Sequence, residues 1–261
     1  MMLLRTASLL LLLVVSVLLR AQDDVAQRFP APTGFQRVVA EPGSFGDYLR
    51  QVSLRPPGTP VLLHDGRTKP RQDVHAAVLD LSVGQRDLQQ CADALMRLRA
   101  EHLFAAGRYA EIHFNFTNGF RAEFQRWANG ERIQVRGNEC LWKGEGRTGC
   151  TRENLLSFLE TVFTYGGTLS LSKELKPTTG AIEAGDVFIQ GGSPGHAVIV
   201  MDVARDSQGR TAFLLAQSYM PAQDIHVLKR PDGTGAWYIA DEGERLVTPE
   251  WTFSWEDRKR W

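Results

Sequence analysis

The sequence "DLQQCADALMRL", residues 87–98, places a cysteine in the first turn of a predicted helix. Asp87 is a favourable N-cap residue, and Gln90 lies three positions later, as in a capping box. Apolar residues then recur at intervals of three and four: Leu88, Cys91, Leu95 and Leu98. This spacing predicts an amphipathic helix that carries Cys91 near its beginning.

The position of Cys91 leaves two interpretations open. The free N–H groups and the dipole of a helix N-terminus stabilise a thiolate, which is the nucleophilic form of cysteine. The same residue lies on the apolar stripe of the helix, and free cysteines are among the most buried residues of proteins. Cys91 is therefore either a nucleophile or a core residue.

The last third of the chain changes from helix-like to strand-like patterns. The apolar runs are "GDVFI" (185–189), "GHAVIVMDVA" (195–204) and "TAFLLAQSYM" (211–220). Short segments rich in Gly, Ser and Pro separate them, which predicts an antiparallel meander. Helices come first and the sheet last, so the sequence predicts an α+β fold.

His196 supplies the partner that makes a nucleophilic Cys91 plausible. It begins a predicted strand directly after the turn "GGSPG" (191–195), where an imidazole can reach the edge of the sheet. A cysteine at a helix start and a histidine at a strand start are the two parts of a Cys–His dyad. The backbone N–H of Cys91 is a candidate oxyanion donor, and the Gln85 side chain is a weaker one.

A third group is needed to orient the imidazole. Asp202 lies six residues along the same strand, which is about 20 Å, so it cannot touch His196. If the strand reverses over residues 205–209, residues 217–219 lie opposite His196. Gln217 is our candidate because its amide oxygen can accept the ring N–H, with Ser218 and Tyr219 as alternatives, since the register is not fixed by sequence.

Two segments resemble the halves of an NlpC/P60-type papain-like hydrolase: "DLQQCADALMRLRAEHL" (87–103) and "GDVFIQGGSPGHAVIVMDVA" (185–204). The resemblance implies a papain-like core, with a helix packed on an antiparallel sheet. It implies Cys91 as nucleophile, His196 as base, Gln217 as the polar orienting residue and Gly185–Asp186 as the turn before the histidine strand. Residues 108–180 are then a helical insertion between Cys91 and His196.

Over nearly the whole mature chain, four further segments resemble a bacterial exported family of unknown function. They are "GSFGDYLR" (43–50), "LLHDGRTK" (62–69), "QCADALMRLRAE" (90–101) and "AQSYMPAQDIHVL" (216–228). This resemblance is closer than the NlpC/P60 one, but it implies no activity.

The N-terminus predicts export. A basic start, an apolar run over residues 8–19 and a small residue, Ala21, are typical of a secretory signal that is too short to span a bilayer. We expect a signal peptide over 1–21 and a single papain-like domain over 22–261, with a lead-in over 22–80; the alternative for residues 1–21 is an uncleaved N-terminal anchor. The mature protein would lie in the periplasm or outside the cell as a monomer.

Charge and cysteine content narrow the function classes further. Thirty basic and thirty acidic residues leave no net charge, which argues against a nucleic-acid partner. Cys140 and Cys150 flank the Gly-rich loop "CLWKGEGRTGC", so we expect a disulfide there and a free Cys91. The six histidines show no HExxH motif, and we expect neither a metal nor a cofactor.

Together these patterns predict an exported cysteine hydrolase that cleaves an amide bond, with cell-wall peptides as the expected substrate. One alternative is a non-catalytic exported binding protein on the same scaffold, with the six tryptophans as stacking faces. The other is a transglutaminase-like acyl transferase, because "CAD" and "GHAVIVM" resemble that group. Its third residue is normally acidic, whereas our candidate is Gln217.

Overall fold

A computed structural model describes residues 23–240 and 244–261 of the chain. The predicted signal peptide, residues 1–21, lies outside the described residues. Among the residues that are described, no helix is both long enough and apolar enough to cross a membrane.

The described part of the chain contains six α-helices: α1 (Val25–Arg28), α2 (Phe45–Arg50), α3 (Cys91–Ala105), α4 (Phe124–Ala128), α5 (Arg152–Tyr165) and α6 (Thr168–Glu174). The sequence also predicts a helix over 152–165, which is confirmed, and the Thr151 side chain caps it by accepting the Asn154 N–H. A further helix is predicted to begin at Asn118 and to end at Asn129–Gly130; its second half is helical, as α4, but its predicted start at Asn118 is wrong. There the Asn118 side chain accepts the Phe120 N–H and Gly119 has a φ of 88°, so the chain turns instead.

The strands of the described residues are β1 (Phe35–Arg37), β2 (His75–Val78), β3 (His113–Asn115), β4 (Arg121–Glu123), β5 (Arg132–Arg136), β6 (Glu139–Lys143), β7 (Lys176–Pro177), β8 (Val187–Gln190), β9 (His196–Asp206), β10 (Thr211–Gln217), β11 (His226–Leu228), β12 (Trp237–Ile239), β13 (Arg245–Val247), β14 (Thr252–Ser254) and β15 (Arg258–Arg260). The main sheet has the order β2-β11-β10-β9-β8-β15-β7, while β1 also pairs with β9 and β12 with β10. Every pairing in it is antiparallel. The fold is therefore α+β with an antiparallel sheet, as the apolar runs predict.

Strand β9 lies at the centre of the sheet and is buried on both faces. Ala197 and Ile199 belong to the large core cluster that includes the helices. Val198 and Val200, which alternate with them, belong to a second cluster with Phe253 on the opposite face. Burial of both faces explains why the sequence of β9 is a continuous apolar run rather than an alternating one.

Helix α3 is buried on almost every side, so the prediction of an amphipathic helix is wrong. Polar side chains are enclosed along with the apolar stripe, and they are paired. Arg97 Nε donates to Glu101 Oε1 at 2.7 Å, and Arg152 from α5 donates to both oxygens of Glu101. Pairing of this kind makes charged residues tolerable in a buried helix.

Residues 108–180 are not a purely helical insertion. The segment contains the hairpins β3–β4 and β5–β6 as well as α4, α5 and α6. Its rings at Phe114, Phe124 and Phe158 belong to the same core cluster as Leu95 of α3. The segment is therefore part of the main core of the molecule.

The predicted disulfide between Cys140 and Cys150 is wrong, because all three cysteines are free. Cys140 lies within β6, and its sulfur accepts from Asn118 Nδ2 at 3.1 Å. Backbone hydrogen bonds hold the loop that follows β6, including one from the Gly149 N–H to the Ala128 carbonyl at 2.7 Å. The loop is fixed without a covalent bridge.

Asp202 is fully buried in the middle of β9 and binds two arginines. Its carboxylate accepts from Arg37 Nε at 2.6 Å and from Arg50 Nε at 2.5 Å. Arg37 belongs to β1 and Arg50 to α2, so one carboxylate joins the lead-in to the central strand. This placement agrees with the expectation from the sequence that Asp202 lies too far along the strand to touch His196.

We expect Asp202→Asn to lower the free energy of unfolding by about 3–5 kcal/mol, because it leaves buried guanidinium groups without their counter-ion. Urea denaturation measures the change. The matched control is Asp73→Asn, which removes a carboxylate from an exposed pair with Arg71 and should leave stability nearly unchanged. Equal effects of the two substitutions would contradict a structural role for Asp202.

Candidate active site around Cys91 and His196

Helix α3 begins at Cys91, so its N-cap lies three residues after the predicted N-cap, Asp87. Gln90 is the N-cap residue, and its backbone N–H donates to Asp93 Oδ2 at 3.1 Å. Asp87 instead accepts from the Ala222 N–H at 2.7 Å and from Gln90 Nε2 at 3.0 Å. The carboxylate of Asp87 thus fixes the approach to the helix against the loop after β10, and Cys91 is the first helical residue.

The Cys91 sulfur meets β9 at its first peptide. The backbone N–H groups of Ala92, Ala197 and Cys91 itself form hydrogen bonds that lower the pKa of the thiol, but burial raises it more, followed by the nearby Asp93 carboxylate. The net pKa is about 11. The helix N-terminus therefore does not give the resting thiolate that its position predicts, because desolvation of the charged form outweighs it.

Asp93 is a buried carboxyl group two residues after Cys91, in the first turn of α3. One of its oxygens, Oδ2, holds the Gln90 N–H, and Oδ1 has no hydrogen-bond partner. Burial raises the pKa of Asp93 to about 7. A group of this pKa changes its charge beside Cys91 near neutral pH.

His196 is the first residue of β9, and its ring is held by Gln217 from the neighbouring strand. His196 Nε2 and Gln217 Oε1 are 2.8 Å apart, and both side chains are buried. Gln217 Nε2 in turn donates to Glu250 Oε2 at 2.7 Å and lies 3.4 Å from His226 Nε2. One polar atom from each of His196, Glu250 and His226 therefore lies against the side-chain amide of Gln217.

This network determines which ring nitrogen of His196 carries the proton. The Glu250 carboxylate is paired with Lys69 at 2.7 Å and can only accept, so the amide NH₂ of Gln217 must face it. The amide oxygen then faces His196, whose Nε2 must donate. The lone pair of His196 therefore lies on Nδ1, which is the ring nitrogen able to accept a proton.

His196 is also kept neutral. Burial lowers its pKa to about 4, and the positive charge of Lys69 acts in the same direction, while the Gln217 hydrogen bond opposes them. Together with the raised pKa of Cys91, this gives a resting pair of neutral thiol and neutral imidazole.

Aromatic rings surround His196. The ring centroids of Tyr219, Trp251 and Phe253 lie 4.8, 5.4 and 6.0 Å from that of the imidazole. Trp251 is fixed by a hydrogen bond from its indole N–H to Gln190 Oε1 at 3.0 Å. These rings exclude water from the His196–Gln217 hydrogen bond, which explains the low pKa of the imidazole.

A cavity of about 320 Å³ lies beside Cys91. The start of α3 forms one wall, the turn 192–195 before His196 a second, and residues 166–169 a third. Gly195 has no room for a side chain, because a Cβ would lie 2.6 Å from both Gly192 O and Thr168 Oγ1. The turn is therefore closely fitted to the segment 166–169.

The other candidates from the sequence have different environments. Gln85 is exposed and lines a separate cavity that does not include Cys91. Ser218 Oγ is engaged by the carbonyl groups of Gln89 and Gln223. The Tyr219 ring packs against His196 at an interplanar angle of 55° but gives it no hydrogen bond in the described contacts.

Three residues of the network were missed by sequence reasoning: Lys69, His226 and Glu250. Lys69 and His226 lie within two of the segments that resemble the exported family, and that resemblance is the one feature of the sequence that could have pointed to them. Glu250 lies in a part of the sequence that shows no motif. Within residues 23–240 and 244–261, no group of three or more His, Cys, Asp or Glu side chains is placed to hold a metal ion.

A family profile matches residues 25–260, which is almost all of the described chain. The chain belongs to the family described as Domain of unknown function (4846). No curated protein and no solved structure matches it. Membership of this family agrees with the resemblance over the whole mature chain, and it assigns no activity.

The hydrogen bonds of Gln217 predict the tautomer of His196. We expect ¹⁵N NMR to show the neutral Nε2–H form and to detect protonation only near pH 4. Glu250→Gln is the control, because an amide at that position no longer forces the orientation of Gln217. An Nδ1–H tautomer, or a titration near the ordinary histidine value of about 6.5, would contradict the network.

The second prediction concerns the thiol. With iodoacetamide near neutral pH, Cys91 should react much more slowly than the more accessible Cys140 and Cys150, and its rate should rise with pH towards about 11. Mass spectrometry of the labelled peptides measures all three rates in one sample. Preferential labelling of Cys91 at mildly acidic pH would instead indicate a thiolate–imidazolium pair.

Proposed function

We propose that this protein is a cysteine hydrolase that cleaves an amide bond, with Cys91 as nucleophile and His196 as general base. One observation carries the proposal. The backbone N–H of Ala197, the residue after His196, is one of the donors that lower the pKa of the Cys91 thiol, while Gln217 occupies His196 Nε2 and leaves the Nδ1 lone pair unprotonated. The support for the proposal is thus a thiol placed beside the first peptide of β9 and an oriented base on the first residue of the same strand.

In the first half-reaction, His196 Nδ1 takes the thiol proton as the Cys91 sulfur attacks the carbonyl carbon of the substrate. The tetrahedral intermediate then collapses, and the C–N bond breaks. The imidazolium returns its proton to the leaving amine, so a thioester between substrate and Cys91 remains.

In the second half-reaction, water attacks the thioester carbon and gives its proton to His196 Nδ1. The C–S bond breaks, a carboxylic acid leaves, and the sulfur regains its proton from the imidazolium. The Cys91 backbone N–H, at the start of α3, is our candidate donor to the oxyanion in both halves.

The neutral resting pair has a kinetic consequence. The base is available whenever His196 is unprotonated, and its pKa is about 4. The acidic limb of the pH profile of kcat/KM should therefore lie near pH 4 rather than near the ordinary histidine value of about 6.5.

A papain-like core of the NlpC/P60 type is the fold that we propose for this site. The support is the arrangement of three elements: a cysteine at the start of α3, a histidine at the start of β9 and a polar residue, Gln217, at the end of the antiparallel neighbour β10. The core also differs from the expected one, since residues 108–180 add two hairpins to it.

We further propose that the protein is exported and acts on cell-wall peptides. The apolar N-terminal run supports export, and the cavity of about 320 Å³ beside Cys91 has the size of a site for a small peptide.

The test uses purified cell-wall peptides and the full chain. Cys91→Ala should reduce kcat by about 10³-fold or more, because no nucleophile remains. Cys140→Ser is the matched control and should retain full turnover. Release of new amino groups and mass spectrometry of the Cys91 acyl adduct measure the reaction, and equal turnover of Cys91→Ala and wild type would refute the proposal.

A non-catalytic binding protein is the second candidate, and the burial of both reactive groups favours it. Cys91 is 7% exposed and His196 only 1%. A binder would retain its affinity for the peptide in Cys91→Ala and show no turnover in either form. A transglutaminase-like transfer, the third class, would pass the acyl group from Cys91 to an added primary amine instead of to water.

A further inference from the structure

A second cavity, of about 490 Å³, lies at the other end of β9 from His196. Val203 of β9 lines it, and seven residues of strand from His196 amount to about 23 Å. The cavity also contacts α2, α3 and the end of β15, so it is separate from the one beside Cys91. We call it the arginine cavity, because four arginines line it: Arg50, Arg99, Arg205 and Arg260.

Two of these arginines already have carboxylate partners. Arg50 binds Asp202, and Arg260 binds both Asp186 and Glu183. Arg205 donates to the backbone carbonyl of Ile182 at 3.1 Å. The only other acidic residue lining the cavity is Glu41, so the walls carry an excess of positive charge.

Arg99 is the unusual member of the four. Its guanidinium lies 5.1 Å from the ring centroid of Phe45 and 5.7 Å from that of Trp261. In residues 23–240 and 244–261, no hydrogen bond or ion pair engages it. Burial lowers its pKa and the charge of Arg108 adds to that effect, while the Glu111 carboxylate, which is itself paired with Arg108, opposes it. The two rings thus hold a partly desolvated cation in place without a directly bonded counter-ion.

The cavity walls supply apolar surface next to this cation. Val38, Val39 and Phe45 line it, and Val39 is 91% exposed. The indole N–H of Trp261 is buried without an acceptor, which adds a second unsatisfied donor to the same wall. A ligand that fits these features carries an oxyanion and an apolar group together.

We propose that the arginine cavity binds a small organic oxyanion, a carboxylate or a phosphate attached to an apolar group. Arg99 pairs with the oxyanion through its planar N–H fork, which matches the two oxygens of such a group. The apolar part of the ligand lies against Val38, Val39 and Phe45. A volume of about 490 Å³ is within the range of small-molecule sites.

Three probes that share one aromatic ring test the proposal: N-acetylphenylalanine, its C-terminal amide and phenyl phosphate. Calorimetry on the full chain should show binding of the acid or of phenyl phosphate, and no binding of the amide. The tighter of the two anions identifies the source of the oxyanion. Binding should weaken as salt is raised, because it depends on charge.

Variants locate the site. Arg99→Gln should weaken anion binding by about 10-fold or more, which corresponds to one lost charged hydrogen bond. Arg121→Gln is the matched control, an exposed arginine paired with Glu123 outside the cavity, and should bind as wild type does. Arg99→Lys, which keeps the charge without the fork, should bind less tightly than wild type at an unchanged melting temperature.

Two results would overturn the proposal. One is the absence of binding of both anions to the wild-type chain. The other is equal affinity of wild type, Arg99→Gln and Arg99→Lys, which would place any binding elsewhere. Because the amide and the acid differ only in charge, equal binding of the two would also refute an oxyanion site.

Discussion

The contact between the Cys91 sulfur and the Ala197 amide fixes the surroundings of the thiol. It brings the start of α3 against the first peptide of β9, where the thiol is enclosed, while Tyr219, Trp251 and Phe253 enclose the neighbouring imidazole. Enclosure disfavours the charged form of each group, which raises the pKa of Cys91 and lowers that of His196. The two groups are therefore neutral at rest, and the proposed reaction requires proton transfer to accompany attack on a substrate.

The Gln217 amide is the second constraint, and it depends on charge pairing far from the thiol. Lys69 neutralises Glu250, Glu250 orients Gln217, and Gln217 selects the tautomer of His196. The four side chains come from well-separated parts of the sequence. Lys69, Gln217 and His196 are buried and Glu250 is half-buried, so a change at one end of the series alters the imidazole through the hydrogen bonds between them.

Local sequence patterns predicted part of this structure correctly, and they failed where tertiary packing determined the conformation of the chain. The apolar runs of the last third gave the antiparallel meander, and the strand register placed Gln217 near His196. Residues 118–128 contain apolar residues at helical spacing, yet the Asn118 turn places residues 113–123 in a hairpin and the helix begins only at Phe124. The spacing of Cys140 and Cys150 suggested a bridge, but hydrogen bonds to α4 and α5 fix that loop instead.

The pKa values of Cys91 and His196 could not be predicted from the sequence. A helix N-terminus is a local feature, and from it alone a lowered thiol pKa is expected. The opposing effect comes from burial by segments distant in sequence, which no local pattern reports. For the same reason the role of Glu250 became visible only when the sheet brought residues 69, 217 and 250 together.

Residues 166–169 form one wall of the cavity beside Cys91, and this wall is independent of the groups that orient His196. The proton-handling groups are held by α3 and the central strands, whereas this wall comes from a segment that contributes nothing to the hydrogen bonds around His196. Thr168 is tied to the turn before His196 by hydrogen bonds with both backbone groups of Gly192, whereas the Leu169 side chain is exposed. Exchange of Leu169 would therefore reshape the opening without disturbing the buried amide network, so the shape of the entrance can vary independently of the state of the imidazole.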